Sequence, residues 1–341
     1  MPENPLTVAG LSESELLARI FPRLEMDSQH ASATELGPGD DAAIISTPDG
    51  RAVISIDTQV QDQDFRLLWN NGYRSTGFDV GWKAAAQNLS DINAMGATAT
   101  SMVVSLTLPP ATPVAWVEDL ADGLTAGIRE LGATNCSVTG GDLGRGREIS
   151  VTVAVLGTLA GGPAVLRSGA CPGDVLALAG TVGRAAAGLA LLESEVDVES
   201  LKPEQRELLD VQCRPRPPLS AGPLARAAGA TAMLDISDGL IRDGLRLARA
   251  SNAVLDLDGE ELKRLAEGLE PASALLRVDP LPWVLGGGED HGLLATFPPG
   301  VQLPPGFTAI GSVQAPGTNE SPGVKIAGQA AGTGGWDHFA D

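Results

Sequence analysis

The residues with the strongest chemical character in this chain are aspartates that end apolar runs beside glycine. Gly37-Pro38-Gly39-Asp40-Asp41 precedes the run Ala42-Ala43-Ile44-Ile45, and a second run, Ala52 to Ile56, ends on Asp57-Thr58. Comparable placements recur at Asn88-Leu89-Ser90-Asp91, Gly140-Gly141-Asp142 and Asp235-Ile236-Ser237-Asp238-Gly239. Carboxylates at the ends of strands suit hard cations, which take oxygen ligands. If Asp41, Asp57, Asp91, Asp142, Asp235 and Asp238 converge, they need such a cation, because two unit charges about 4 Å apart repel by about 4 kcal/mol at an effective dielectric of about 20. Mg²⁺ removes that repulsion and bridges to phosphates, and phosphoryl transfer asks mainly for positioning and charge neutralisation. The pattern reads as a Mg²⁺-dependent enzyme that uses ATP. Spacing alone leaves open whether the acids meet.

Several other chemistries are excluded. No G-x-x-x-x-G-K-[ST] loop is present, and none of Lys83, Lys202, Lys263 and Lys325 follows one, so a P-loop nucleotide site is out. There is no G-x-S-x-G elbow and no H-E-x-x-H. His30, His291 and His338 lack ligand spacing and read as surface or packing residues. Cys136, Cys171 and Cys213 are odd in number and form no C-x-x-C, so they read as small, buried or semi-buried residues rather than a disulfide framework or zinc site. The net charge of -20, from 43 acidic and 23 basic residues, disfavours nucleic-acid binding, which needs a basic footprint. No apolar run approaches the roughly 18 residues of a membrane span, and Met1 to Gly10 lacks the basic-then-apolar pattern of a signal peptide. A cytoplasmic protein without membrane or nucleic-acid partners is expected.

The elements that must position these acids follow from pattern. A length of 341 residues suggests two domains. Ser12 and Glu15 form a capping-box pattern that opens a short amphipathic helix over 11–20. Residues 42–46 and 52–56 read as a hairpin across Pro48-Asp49-Gly50, and the polar stretch Gln59 to Phe65 reads as an exposed loop or lid. Val80, Ala84, Asn88 and Ile92 recur every four residues, so Asp79 to Ala97 reads as a helix ended by Gly96, with Asn88 and Asp91 on one side. Thr98 to Leu108 and Glu148 to Leu159 read as strands, Pro113 to Gly132 as a helix, and Cys136 to Thr139 as a short strand opening into Gly140-Gly141-Asp142. Beyond Gly161-Gly162-Pro163, strands at 175–179, 232–235, 253–257 and 293–297 alternate with helices at 183–192, 223–229, 239–251 and 259–269. Residues 193–210 look like an acidic surface insertion, and Gly286-Gly287-Gly288-Glu289-Asp290 like a glycine-acid turn. The class is α/β or α+β, divided as 1–160 and 161–341.

Taken in order, the motifs resemble those of the thiamine-monophosphate kinase family, in the superfamily of aminoimidazole ribonucleotide synthetase. The series is Gly39-Asp40-Asp41-Ala42-Ala43, Asp57-Thr58, Asn88 to Ala97, Gly140-Gly141-Asp142, Arg167 to Asp174, Asp235-Ile236-Ser237-Asp238-Gly239-Leu240 and Gly286-Gly287-Gly288-Glu289-Asp290, closing on Gly335-Trp336-Asp337-His338-Phe339. Each motif is weak alone; their order over nearly the whole chain is specific. The resemblance implies direct transfer of the γ-phosphoryl of ATP to thiamine monophosphate, giving thiamine diphosphate, with the substrate's own phosphate as nucleophile. It implies Mg²⁺ held by Asp41, Asp57, Asp91, Asp142, Asp235 and Asp238, with Ser55 and the backbone carbonyl of Ile56 as further ligands. Turnover would rest on Asp57, Asp142 and Asp238. Gly141, Asp142, Arg167 and Ser237 would contact ATP, and Asp64, Glu289 and Trp336 the thiamine substrate. Asp64 stands where the family usually has His, and His291-Gly292 where Tyr-Glu is frequent. The implied fold is two α/β domains: 1–160 binds ATP and Mg²⁺ and dimerises through N-terminal strands that complete a barrel across the homodimer interface, and 161–341 contributes to the active-site cleft. The alternatives are another ATP-using enzyme of the superfamily and a silent paralogue that binds ATP or thiamine phosphates. A selenophosphate synthetase fits poorly, because the first cysteine is Cys136.

Overall fold

The structure, a computed structural model, describes residues 6–24, 33–36, 44–332 and 334–335. The expectations for Asp41, Trp336, His30 and His338 therefore lie outside the described residues. The chain divides into two compact units, one of Met1–Ile92 with Thr98–Gly161 and one of Asn93–Ala97 with Gly162–Asp341.

The first unit runs α1 (Glu13–Leu24), β1 (Thr34–Leu36), β2 (Ile44–Ile45), β3 (Val53–Val60), α2 (Gly77–Ala94), β4 (Thr98–Leu108), α3 (Val114–Glu130), β5 (Ser137–Arg145) and β6 (Ser150–Thr158). Its main sheet has the order β3-β6-β4-β5, antiparallel except for the parallel β4–β5 pair. Among the described residues this sheet is open, and no barrel closes. The capping box at α1 forms as its residues dictate, with the Ser12 amide donating to Glu15 Oε2 at 2.8 Å. Thr76 and Asp79 do the same for α2: the Thr76 amide donates to Asp79 Oδ2 at 2.9 Å and the Asp79 amide to Thr76 Oγ1 at 3.2 Å. Val80, Ala84, Asn88 and Ile92 are all buried, so the helical period marked the inward face of α2.

The second unit runs β7 (Val175–Ala179), α4 (Arg184–Glu193), α5 (Pro203–Cys213), α6 (Ala221–Ala227), β8 (Ala232–Ile236), α7 (Leu240–Ser251), β9 (Val254–Leu257), α8 (Gly259–Glu267), α9 (Glu270–Leu276), α10 (Leu281–Gly286), β10 (Gly292–Phe297), β11 (Phe307–Gln314), β12 (Gly323–Ile326) and β13 (Gln329–Ala330). Its sheet has the order β13-β12-β9-β11-β7-β10-β8. Phe297 and Phe307 meet edge to face with centroids 5.2 Å apart, in a core that includes Ala177, Met233 and Leu293. No described helix is long and apolar enough to cross a membrane.

Five expectations change. The hairpin of residues 42–46 with 52–56 does not form: β2 pairs with β1, whereas β3 pairs with β6 over all its residues. The turn signal was sound, since the Gly50 amide donates to Thr47 O at 2.9 Å, but a turn reverses the chain without choosing its partner. Gly140-Gly141-Asp142 is not a turn after a short strand; it lies inside β5, paired to Val103, Val104 and Ser105. The 59–65 stretch is exposed only at its tip: Asp62 and Gln63 are exposed in a turn, whereas Gln59 and Phe65 are buried and the buried Lys83 donates through Nζ to Asp64 O at 3.1 Å. Residues 193–210 are not a surface insertion either. They lead into α5, which buries Gln205, Leu208, Leu209, Gln212 and Cys213 at helical spacing while its charged residues face out. Cys136 and Cys213 are buried as expected, whereas Cys171 is exposed, against the reading of all three cysteines as buried or semi-buried.

Helices α2 and α3 meet backbone to backbone. A Cβ on Gly81 would lie 2.1 Å from Leu120 O, and one on Gly123 2.1 Å from Phe78 O. Replacing Gly81 by Val is expected to lower the unfolding free energy by about 3 kcal/mol through overpacking, read as a fall in the denaturant midpoint at unchanged slope; an unchanged midpoint would contradict this packing.

Candidate active site

Strand β3 turns alternate residues to α2. Ser55 Oγ donates to Asp91 Oδ2 at 2.5 Å, and Gln59 Nε2 donates to Gln87 Oε1 at 2.9 Å. Asp57 falls between Ser55 and Gln59 on this same side, because successive strand residues alternate faces. Ile54, Ile56 and Thr58 point the other way and are exposed. One buried acceptor on this side, Gln59 Oε1, has no hydrogen-bond partner. This side of the strand is thus rich in oxygen acceptors, a donor set that fits a hard cation. Among the described residues no three His, Cys, Asp or Glu side chains gather as a ready-made metal cage. Mg²⁺ does not demand one, as it commonly takes one or two carboxylates and completes its shell with water and substrate phosphates.

Asp142 is not part of this group. Register aligns Asp57 with Val153, Val104 and Gly141, and aligns Asp142 one step along, with Ser105, Thr152 and Thr58. Asp142 is therefore on the opposite face of the sheet, exposed, beside Ile56 and Val103. Gly141 is required by the strand itself: a Cβ there would lie 2.1 Å from Val104 O. Asp64, expected against substrate, accepts a hydrogen bond from the Val60 amide at 2.7 Å and so closes its own turn.

In the second unit Asp235, near the end of β8, is buried with His291 Nδ1 3.4 Å from its Oδ2. His291 is a packing residue, as its lack of ligand spacing implied, yet it packs against a candidate ligand. Asp238 is held by guanidinium groups, with Arg246 at 2.6 Å and Arg242 at 3.8 Å. Buried Asp243 completes that network, accepting from the Asp238 amide at 2.8 Å and from Arg246 at 2.5 Å. Burial is the largest influence on Asp243 and pushes its carboxyl up to about 6, against the lowering effects of the Asp238 amide and Arg246. The Arg167 side chain is exposed, and the Ser237 carbonyl accepts the Glu289 amide at 2.9 Å.

Glu289 itself has a left-handed backbone, φ +67°. Its Oε2 accepts from Gln212 Nε2 at 2.5 Å. The next residue, Asp290, is buried and anchors the turn to the start of α4, accepting from Thr181 Oγ1 at 2.7 Å, the Ala185 amide at 2.9 Å and the Arg184 amide at 3.2 Å. Burial raises the Asp290 pKa, opposed by these hydrogen bonds. Sequence reasoning missed Gln59, Gln87, Gln212 and Asp243. For Gln87 the signal was available, since it sits one helical turn before Asp91.

The comparisons with known proteins agree with the motif order. The family described as "AIR synthase related protein, N-terminal domain" matches residues 39–159. A thiamine-monophosphate kinase of Mycobacterium tuberculosis strain H37Rv is 42% identical over 324 residues, covering 94% of this chain and 91% of the relative. The solved thiamine-monophosphate kinase of Stenotrophomonas maltophilia K279a superposes with a TM-score of 0.75 at 29% identity, covering 94% of this chain and 98% of that one. A structure of AaThiL complexed with AMPPCP and TMP gives a TM-score of 0.71 at 28% identity, covering 98% and 99%. Likeness of this extent, carried through both units, places the chain in a single family: it belongs to the thiamine-monophosphate kinases.

Proposed function

We propose that this protein phosphorylates thiamine monophosphate to thiamine diphosphate at the expense of ATP. The observation that carries this reading is the sustained identity to a thiamine-monophosphate kinase across nearly the whole chain. The AaThiL complex with AMPPCP and TMP supports the two substrates. We assign Mg²⁺ binding in the first unit to Ser55, Asp57 and Asp91, with the Ile56 carbonyl and Asp41 as further family-matched oxygen donors; Asp142, on the opposite face of the sheet, is left out of that group. In the second unit the same assignment goes to Asp235 and Asp238, the latter on release from Arg246. Bound Mg²⁺ would neutralise the phosphates so that one anion can attack another. The chain's own residues then have positioning to do. Ser55, by donating to Asp91 Oδ2, fixes the rotamer of that carboxylate. Gly141, Arg167 and Ser237 are assigned to ATP, and Glu289 with Trp336 to the thiamine moiety, where a carboxylate and an aromatic face suit a cationic thiazolium. Asp64 is assigned a part in shaping the substrate side through its turn.

A homodimer is the proposed assembly, in a cytoplasm that supplies ATP. The face of β3 turned away from α2 supports it: Ile54 and Ile56 are 69% and 63% exposed there, with Val103 beside them. An apolar sheet face of this kind is a protein-interaction surface, and a second copy meeting it would complete the barrel that the family likeness implies.

Purified protein given ATP, Mg²⁺ and thiamine monophosphate should form thiamine diphosphate, and EDTA should abolish the product. Metal-dependent ATP binding without product would favour a silent paralogue. Asp57→Asn is expected to reduce turnover at least 100-fold, the scale of losing a key electrostatic group, with an unchanged melting temperature; activity above a tenth of wild type would remove Asp57 from the metal site. Ile54→Glu should shift the protein from dimer to monomer in sedimentation, and a dimer unaffected by it would place the interface elsewhere.

A further inference from the structure

We propose that Gln212 is a positioning residue that holds the Glu289 carboxylate and thereby sets how tightly the cationic thiazolium of thiamine monophosphate is bound. The inference rests on the reading above that Glu289 meets the thiamine moiety. Its own support is geometric. Gln212 is 4% exposed, on the last turn of α5. Its Nε2 donates to Glu289 Oε2 at 2.5 Å across 77 residues of sequence. The backbone of the acceptor is fixed independently, by the Glu289 amide on Ser237 O and by Asp290 on the start of α4. With the main chain held, the remaining freedom of Glu289 lies in its side-chain torsions, and Gln212 restrains them at Oε2.

The approach of α5 is also built for this contact. A Cβ on Gly188 of α4 would lie 2.2 Å from Leu208 O and 3.1 Å from Gln212 Cβ. Glycine at 188 lets α5 come close enough for the Gln212 amide to reach the turn. The choice of donor matters as well. A neutral amide orients a carboxylate without cancelling its charge, whereas a lysine or arginine at 212 would neutralise the group meant to attract a cation. The hydrogen bond of an amide to a charged acceptor is strong enough to be read in affinity.

The test measures kcat and both KM values for wild type, Gln212→Met, Gln212→Leu, Glu289→Gln and the double variant Gln212→Met/Glu289→Gln. Gln212→Met keeps the side-chain length and removes the donor; Gln212→Leu removes it with a shorter, uncharged side chain, and serves if the methionine variant folds poorly. The expected result is a rise of about tenfold in KM for thiamine monophosphate, with KM for ATP and kcat within about twofold of wild type. The double variant should be no worse than Glu289→Gln alone, because the two residues act through one carboxylate. Unchanged KM for thiamine monophosphate in the Gln212 variants, with a raised value in Glu289→Gln, overturns the role of Gln212 and leaves the reading of Glu289 standing. Equal rises in both KM values, or additive effects in the double variant, overturn it as well by making Gln212 a general fold residue. No effect of Glu289→Gln removes the underlying reading itself.

Discussion

Alternation along β3 is the constraint on which the first unit depends. A strand offers its residues in turn to two faces, and here the two faces have different work. Ser55, Asp57 and Gln59 meet α2, where Asp91 and Gln87 receive two of them. Ile54, Ile56 and Thr58 are left on the open side. A slip of one residue in the β3–β6 ladder would exchange these sets, burying isoleucines against acids and exposing the carboxylate side. The eight paired residues of that ladder therefore secure the oxygen donors and the apolar face at once.

The second unit secures its acids differently, by tying short turns to helix ends and to neighbouring side chains. Asp290 caps α4 from a distant segment, Asp243 fixes Arg246 and the backbone of Asp238, and Gln212 takes the Glu289 carboxylate. Glu289 and His291 both have left-handed backbone, at φ +67° and +53°, flanking the buried Asp290. Such conformations cost roughly 1–3 kcal/mol each and persist only where surroundings over-determine them. The anchors around Asp290 supply that surrounding support.

Much of this was legible in the sequence, for identifiable reasons. Helix α2 announced itself through Val80, Ala84, Asn88 and Ile92 because burial on a helix must recur every three or four residues. The chemically loaded turns were visible because glycine beside aspartate is economical of explanation in few other ways. Partner choice was not visible: nothing local to Ile44 or Ile54 says that one strand pairs with β1 and the other with β6. The acidic character of 193–210 concealed α5, whose inward residues include two glutamines that a hydrophobicity pattern does not count. The face on which Asp142 lies depends on strand register, which the Gly-Gly-Asp motif does not encode.

The glycine contacts between α2 and α3 have a mechanical consequence. Most helix pairs touch through side chains, which can change rotamer and let the helices slide by an ångström or more. At Gly81 and Gly123 no such compliant layer exists, and carbonyl groups of one helix rest against the α-carbons of the other. The two helices are geared together, and Gln87 and Asp91 travel with that gear. A displacement of α3 would therefore carry with it the side chains of α2 that meet Ser55 and Gln59.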